Sequence, residues 1–333
     1  MSNISDVAKL AGVSEMTVSR VFNANGYVSR ETKRAVLEAA RQLEYRPNPV
    51  AVSLSRKSTK QLLMLIAEQD FENSYYISVY KGAAQYAEEH GYLLSVSKEI
   101  QFSAISKIMF DGVILSNASF APEELKKELK APATVVGFDE KITHPWLENI
   151  VIETGLAMEL IIGHLRDMGH ERIAFAMPPQ AKYSQRYRRY LELLGGVFQE
   201  SISEYTFGVG AESSDDVAID YFYDGRLAAE QIVEKKPDVS AVACFNDEVA
   251  FGLIDRLQGL GVNIPEDLSV VGMDDILQSR YIFPALTTVK LPAHEQGKES
   301  ARRIINIIEG KKPLCPATFH LEVMSRDSVK RII

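Results

Sequence analysis

The sequence predicts a small all-α head, a short hinge and a two-lobed α/β core with parallel sheets. Three observations predict it. Residues 1–45 place apolar side chains at helical spacing. Residues 46–60, "RPNPVAVSLSRKSTK", interrupt that pattern with Pro47 and Pro49. From Gln61 onward, apolar strand-like runs alternate with helical segments, and there are more of them than one modest sheet needs.

In chain order, "ISDVAKLAG" sets Ile4, Val7, Ala8 and Ala11 on one stripe, with Ser5 as the expected N-cap. Gly12 ends that helix, because the residue after a helix often needs a left-handed backbone. Ser14 then caps a second helix whose inward face is Val18, Val21 and Phe22. A third helix over Ser29–Leu43 turns Ala35, Val36, Ala39, Ala40 and Leu43 inward. The segment after Pro49 suits one helix of about two turns, which is marginal in isolation. Strands are expected at "QLLMLIAE", "YLLSVSKE", "DGVILSN", "ATVVGFD", "RIAFAM", "VSAVACFN" and "LSVVGMDD". Helices between them include "YYISVYKGAAQYAEEHG", "GLAMELIIGHLRDMGH", "DGRLAAEQIVEK" and "NDEVAFGLIDRLQGLG". Ligands of such folds bind beyond the carboxyl ends of the strands, and here those ends read "AEQD", "GFDE", "CFND" and "GMDD".

Composition narrows the function. A chain of 333 residues, 46% hydrophobic and 25% charged, suits two or three soluble globular domains. No apolar run approaches the roughly 18 residues that span a bilayer, and the N-terminus shows no export signal, so a cytoplasmic protein without a membrane partner is expected. The two cysteines, Cys244 and Cys315, read as reduced thiols. Charge is divided unevenly: residues 1–60 hold ten Lys/Arg against five Asp/Glu, a net +5 in a chain of net −8, leaving −13 on the rest. A basic head on an acidic body suggests a separate nucleic-acid module.

Several segments, in order, resemble the LacI/GalR family of bacterial transcriptional regulators. They are "ISDVAKLAGVSEMTVSRVFN", "YRPNPVAVSLSRKST", "LRDMGHERIAF", "NDEVAFGLIDRLQGLGVNIPEDLSVVGMDD" and "FPALTTVKLP". The resemblance runs from residue 3 to about residue 328. It implies a helix-turn-helix head over 1–45, a hinge helix in 46–60, and a periplasmic-binding-protein-like core over 61–333 that dimerises. Lobe 1 is expected at about 61–149 and 282–309, and lobe 2 at about 150–281 and 310–333.

A helix-turn-helix sets the start of its second helix in the major groove. Glu15 and Met16 occupy the positions that the resemblance assigns to base reading. Arg20 suits a bidentate grip on guanine, Met16 a thymine methyl, and Glu15 the cytosine amino group. Thr17 and Ser19 suit phosphates or base edges. Ser5, Asn48 and Ala51 complete the expected DNA contacts. Leu54 is the hinge residue that the resemblance inserts into the minor groove, kinking the duplex. Val52 stands where an arginine is usual, which shifts weight to Arg56, Lys57 and Lys60.

For the effector, the resemblance implies Arg186, Asn246, Asp274 and Asp139 as polar contacts. It implies Tyr75 and Tyr76 as the aromatic pair of lobe 1, with Phe222 or Tyr223 from lobe 2. Carboxylates and amides accept and donate to sugar hydroxyls, arginine supplies a rigid fork, and aromatic faces cover C–H groups. Asp274 and Asp139 also suit helix caps beyond their strands, and Arg186 a solvated basic run with Arg188 and Arg189. Two departures stand out: Arg189 replaces a usual glycine, and only Ile100–Phe110 separates "YLLSVSKE" from "DGVILSN". That shortened stretch is similar to the branch controlling galactoside utilisation.

The expected function is therefore repression of a carbohydrate operon, with release from a palindromic operator when a small sugar enters between the lobes, galactose or a galactoside being the sugar that the similar branch suggests. Regulation by a co-repressor is the variant of this reading. A solute-binding receptor sharing the core is the alternative, against which the basic head argues. No enzyme, metal or cofactor is expected: G-x-S-x-G, H-E-x-x-H and a glycine-rich phosphate loop are missing. His164 and His170, six apart, point to different faces of a helix. A homodimer is expected from two-fold operators, and the end "SRDSVKRII" carries no leucine heptads for a tetramer.

Overall fold

The computed structural model describes residues 2–23, 27–48, 58–67, 70–98, 110–116, 132–138, 147–197, 205–208, 220–311 and 315–332. The expected hinge residues Ala51, Val52, Leu54, Arg56 and Lys57, the expected effector residue Asp139 and most of the short segment 100–110 lie outside them.

The head is three helices: α1 (Ile4–Ala11), α2 (Glu15–Asn23) and α3 (Arg30–Gln42). Val7, Ala8, Val18, Val36, Ala39 and Ala40 form its core, with Ile4, Val21, Phe22, Leu43 and Tyr45 packed around them. Gly12 adopts the left-handed conformation at φ 67° that ends α1. Two sequence expectations need correction. The N-cap of α1 is Asn3, not Ser5: Asn3 Oδ1 accepts from Ser5 N and Asp6 N, and the Asp6 carboxylate accepts from Asn3 N, a reciprocal cap. Ala35 is exposed, because it is rotated by about 100° from Val36 and so leaves the buried stripe.

Lobe 1 is a five-stranded parallel sheet in the order β2-β1-β3-β4-β5. The strands are β1 (Gln61–Ile66), β2 (Leu93–Lys98), β3 (Gly112–Ser116), β4 (Ala133–Phe138) and β5 (Leu147–Ile152). The apolar runs of β1, β3 and β4 are buried on both faces, as parallel strands under helices require, whereas edge strand β2 leaves Leu93 and Val96 exposed. Helix α4 (Ser74–Glu89) follows β1. The entry from the hinge is held by Asp111, which accepts from Thr59 N at 2.8 Å, Thr59 Oγ1 at 2.9 Å, Lys60 N at 2.9 Å and the Ser58 hydroxyl. Partial burial raises the Asp111 pKa, but these four donors outweigh it and hold the carboxyl below its usual range.

Lobe 2 is a six-stranded sheet in the order β11-β10-β9-β8-β6-β7, parallel except for the β10–β11 pair. After α5 (Thr154–Asp167), β6 (Ile173–Ala176), α6 (Gln185–Leu194) and β7 (Thr206–Phe207) follow. Then come α7 (Tyr221–Lys235), β8 (Ala241–Cys244), α8 (Asp247–Gly259), β9 (Ser269–Asp274), β10 (Thr287–Lys290) and β11 (Glu322–Met324). Helix α9 (Ala293–Ile308) packs back on lobe 1 against α4. The expected return to lobe 1 at residue 282 is therefore too early: β10 bonds along β9 from Thr287 to Lys290, so the chain crosses at Leu291–Pro292. The first crossing likewise follows β5, at Glu153, because β5 pairs with β4 through Ile152.

Each lobe contains one helix pair locked by reciprocal glycines. A Cβ on Gly82 of α4 would lie 1.9 Å from His294 O, and one on Gly297 of α9 1.9 Å from Val79 O. In lobe 2, Gly225 of α7 meets Val249 O at 2.1 Å and Gly252 of α8 meets Phe222 O at 1.9 Å, on the same measure. Any side chain at these four positions forces the helix backbones apart.

Candidate functional site

Two surfaces carry the chemistry. On the head, α2 starts with an exposed turn: Glu15, Met16 and Arg20 all face solvent, Met16 at 64% exposure. Ser14 Oγ accepts from Thr17 N at 3.2 Å and lies 3.0 Å from Thr17 Oγ1, so Thr17 is partly spent on capping. Ser19 Oγ accepts from Asn23 Nδ2 at 2.9 Å, which leaves its proton to be donated outward. Ser5 is half-buried in α1, and Asn48 is exposed after α3. Sequence reasoning did not single out the outer face of α3, where Arg30, Lys33, Arg34 and Arg41 are all exposed. Their spacing of three, one and seven residues was the available signal.

The second surface is the cleft between the lobes. A pocket of about 490 Å³ opens there, walled by Ser74, Tyr75 and Lys81 from lobe 1 and by Asp274, Gln278 and Arg280 from lobe 2. Asn73 caps α4, its Oδ1 accepting from Tyr75 N at 2.8 Å, and so aims the first turn at lobe 2. Tyr75 and Tyr76 meet edge to face with ring centroids 5.5 Å apart, and Tyr75 lies 5.1 Å from Phe138. The Tyr75 hydroxyl donates to Gln296 Oε1 at 2.9 Å, while Gln296 Nε2 donates to Gly137 O at 2.9 Å and Ile150 O at 2.7 Å. Burial pushes both tyrosines well up, so each is a neutral donor.

From lobe 2, Arg186 is buried at 4% exposure rather than solvated. Ser184 caps α6 and sets the arginine on the helix's first turn. Its Nη1 donates to Phe245 O at 2.5 Å, and its guanidinium stands 4.4 Å from the Phe245 ring and 5.0 Å from the Phe138 ring. Nη2 lies 4.0 Å from Asp274 Oδ1, which has no hydrogen-bond partner. Burial drives the Asp274 carboxyl well above the usual range, with Arg186 opposing. Asp274 also sits at φ 130°, a left-handed backbone that a side chain rarely adopts, at the carboxyl end of β9. Such a combination of strain and an unanswered acceptor is what a ligand site retains.

Asn246 is buried, and its Oδ1 accepts from Val249 N at 2.9 Å, capping α8. Its neighbour Asp247 is the keystone of this end of the lobe. It accepts from Thr288 Oγ1 at 2.6 Å, Ser279 Oγ at 2.6 Å and Ile276 N at 3.0 Å, which fixes the turn after Asp274. Burial raises its carboxyl to about 6 against those donors.

The lobe 2 aromatic differs from the expectation. Phe222 and Tyr223 are 42% and 62% exposed, whereas Tyr221 is packed beside the Phe245 ring at 6.1 Å. Tyr221 lies on the inward stripe of α7 with Gly225, Ala228 and Ile232, a signal that the helical spacing contained. Glu248 was also missed. It follows Asn246 and Asp247 in the first turn of α8, accepts from Asn73 Nδ2 across the cleft at 3.3 Å, and is raised to about 7, chiefly by burial and then by Asp247 and Asp70. A second bond between the lobes joins Gln278 Nε2 to Ser74 Oγ at 3.0 Å. Arg189 pairs with Glu159 and Glu192 between α5 and α6, so it leaves the cleft packing undisturbed. A larger hollow of about 700 Å³ lies between α9 and residues 315–322. None of the buried polar atoms left without a partner among the described residues lines it.

Comparison with known proteins finds matches to both the head and the core. Residues 3–48 match the bacterial regulatory proteins of the lacI family, and residues 162–329 match a periplasmic binding protein-like domain. The HTH-type transcriptional repressor PurR of Vibrio cholerae serotype O1 is 32% identical, over 99% of this chain and 98% of its own. The ribose operon repressor of Halalkalibacterium halodurans is 31% identical, over 98% of this chain and 95% of its own. The fold matches the lac repressor dimer bound to operator and the anti-inducer ONPF with a TM-score of 0.74, at 22% identity and 99% coverage of both chains. Among the described residues no helix is long and apolar enough to cross a membrane.

Proposed function

The chain belongs to the lacI family of bacterial regulatory proteins, and from that premise we propose that it represses a carbohydrate-utilisation operon as a homodimer. The head grips a palindromic operator through Glu15, Met16 and Arg20 of α2, one head per half-site. A small sugar entering between the lobes is the releasing signal. The observation that carries this reading is the buried Arg186–Asp274 pair with Asp274 Oδ1 unanswered, set among Tyr75, Phe138, Tyr221 and Phe245. Ring faces cover the apolar side of a sugar, and the carboxylate and guanidinium take its hydroxyls. Galactose or a galactoside, suggested by the short segment 100–110, is the first member to test, with ribose beside it because a relative bears that name.

Release follows from differential affinity. A sugar touching both lobes favours their closed arrangement and moves the equilibrium only by its preference for that arrangement. The strained Asp274 turn connects through Asp247 to β10 and from there to the crossing at Leu291–Pro292. The test is operator binding by fluorescence anisotropy with and without each sugar. A rise in operator Kd is expected, and operator binding indifferent to every sugar sinks the reading.

A further inference from the structure

The cleft pocket of about 490 Å³ has two unlike walls. Its buried wall holds Tyr75 and Asp274, the latter with Oδ1 unpartnered. Its exposed wall holds Lys81 of α4, Arg280 beyond β9 and Lys290 at the end of β10. Among the described residues neither lysine has an ion-pair or hydrogen-bond partner. Arg280 lies 3.5 Å from Asp275 Oδ2, but Asp275 is already bound by Arg326 through its other oxygen. Asp274 stands beside Arg186. Of the acids lining the pocket this leaves only the exposed Glu295 to set against Lys81, Arg280 and Lys290. Helix α9 also starts at this wall, with Ala293, His294 and Glu295 among the lining residues. No side chain caps it. Ala293 N donates to Leu291 O at 2.8 Å and Gln296 N to Pro292 O at 2.9 Å, so the amides of His294 and Glu295 have no acceptor among the described residues. The positive end of a 16-residue helix therefore adds to the three cations, and the Glu295 carboxylate offsets it in part.

Given a sugar in the cleft, the reading on which this step rests, we propose that the effector is a phosphorylated sugar. Its hydroxyls meet Asp274 on the buried wall, and its phosphate is held by Lys81, Arg280, Lys290 and the first-turn amides of α9. A phosphate dianion offers three oxygens to donors arriving from several directions, which suits two ammonium groups, a guanidinium and a helix N-terminus. A single carboxylate has fewer oxygens to share among them. The donors are divided between the lobes: Lys81 and the start of α9 belong to lobe 1, and Arg280 and Lys290 to lobe 2. The bond from Gln278 Nε2 to Ser74 Oγ, both lining the same pocket, already joins the lobes here. An anion bound between these donors reduces the repulsion among them and draws the two lobes together.

The test is titration calorimetry on the full chain with D-galactose, its 1-phosphate and 6-phosphate, D-galacturonate, D-ribose, D-ribose 5-phosphate and inorganic phosphate. The expected result is a sugar phosphate binding roughly tenfold or more tighter than its neutral parent, the sugar acid and inorganic phosphate, with the advantage shrinking as salt rises. In the doubly substituted Lys81→Gln, Lys290→Gln protein, both positions being exposed and folding checked by its melting curve, the ratio of phosphate to parent falls to near one. Neutral parents binding as tightly as their phosphates, or a preference that survives the double substitution, overturns the inference and leaves the sugar reading standing. Inorganic phosphate or galacturonate matching the best sugar phosphate overturns it as well. Binding by none of the probes overturns the inference and counts against the sugar reading too.

Discussion

The reading turn of α2 and the cleft solve recognition in opposite ways. Glu15, Met16 and Arg20 lie within six residues on the exposed side of the first two turns of α2, with Met16 at 64% exposure. The cleft gathers Tyr75, Phe138, Arg186, Tyr221, Glu248 and Asp274 from six separate segments and buries Arg186 to 4%. A surface that must enter a groove is built locally, and its residues can change one by one without disturbing a core. A surface that must exclude water is assembled from distant elements, and each change there is also a change in packing.

That contrast predicts a graded set of outcomes. The largest belongs to the cleft: Arg186→Ala removes a buried charge that interacts with Asp274 and should raise the effector Kd roughly a hundredfold, with operator binding in the absence of sugar retained. Calorimetry and anisotropy on one preparation check both halves; an unchanged effector Kd removes Arg186 from the site. Next comes the head. Arg20→Ala should cost about 1–3 kcal/mol of operator affinity, and exchanging Glu15 and Met16 should change which operator is bound but not which sugar releases it. A swap that alters sugar response instead would dissolve the division of labour. Asn3→Ala removes the α1 cap and should lower head stability by about 1 kcal/mol, read as a shift in the melting of the helical signal.

Acid separates the two regions further. Asp111, at the junction with the hinge, is held below the usual carboxylate range, so its contribution is present above the unfolded value and lost as pH falls through the folded one. Glu248, raised to about 7, behaves the other way: its native state retains a proton that the unfolded chain has released, so stability falls as pH rises from its ordinary 4.5 toward 7. Thermal melts across pH should therefore lose one slope in Asp111→Asn and the opposite slope in Glu248→Gln. The smallest effect is expected at Arg189→Gly, whose partners Glu159 and Glu192 lie away from the cleft; effector Kd should move by no more than about twofold.

How much of this could be read beforehand follows from the same contrast. The head was legible nearly whole, because α2 and its turn depend on neighbours in sequence: Gly12 takes the left-handed conformation and Ser14 caps, as their residue types demand. All seven apolar runs marked as strands are strands. What escaped depends on partners far along the chain. β10, the short polar stretch Thr287–Lys290, carries no apolar run, and only its pairing with β9 assigns it to lobe 2. Tyr221 was overlooked for its neighbours because three aromatic residues in a row do not declare which faces inward until Asp220 is known to cap the helix that starts at Tyr221. Glu248 was hidden beside the more conspicuous Asn246 and Asp247, and its role depends on Asn73, 175 residues earlier in sequence.

The glycine locks have a consequence for anyone wishing to retarget the sensor. With α4 clamped to α9 through Gly82 and Gly297, and α7 to α8 through Gly225 and Gly252, the spacing of each lobe's paired helices is set by backbone contact rather than by cleft-lining side chains. Exchanging Glu248 or the exposed Phe222 and Tyr223 changes the teeth and leaves those helix spacings alone, whereas Tyr76 belongs to the core as well. A library confined to Glu248, Phe222 and Tyr223 should yield new ligand preferences without retuning how closure is passed to the head.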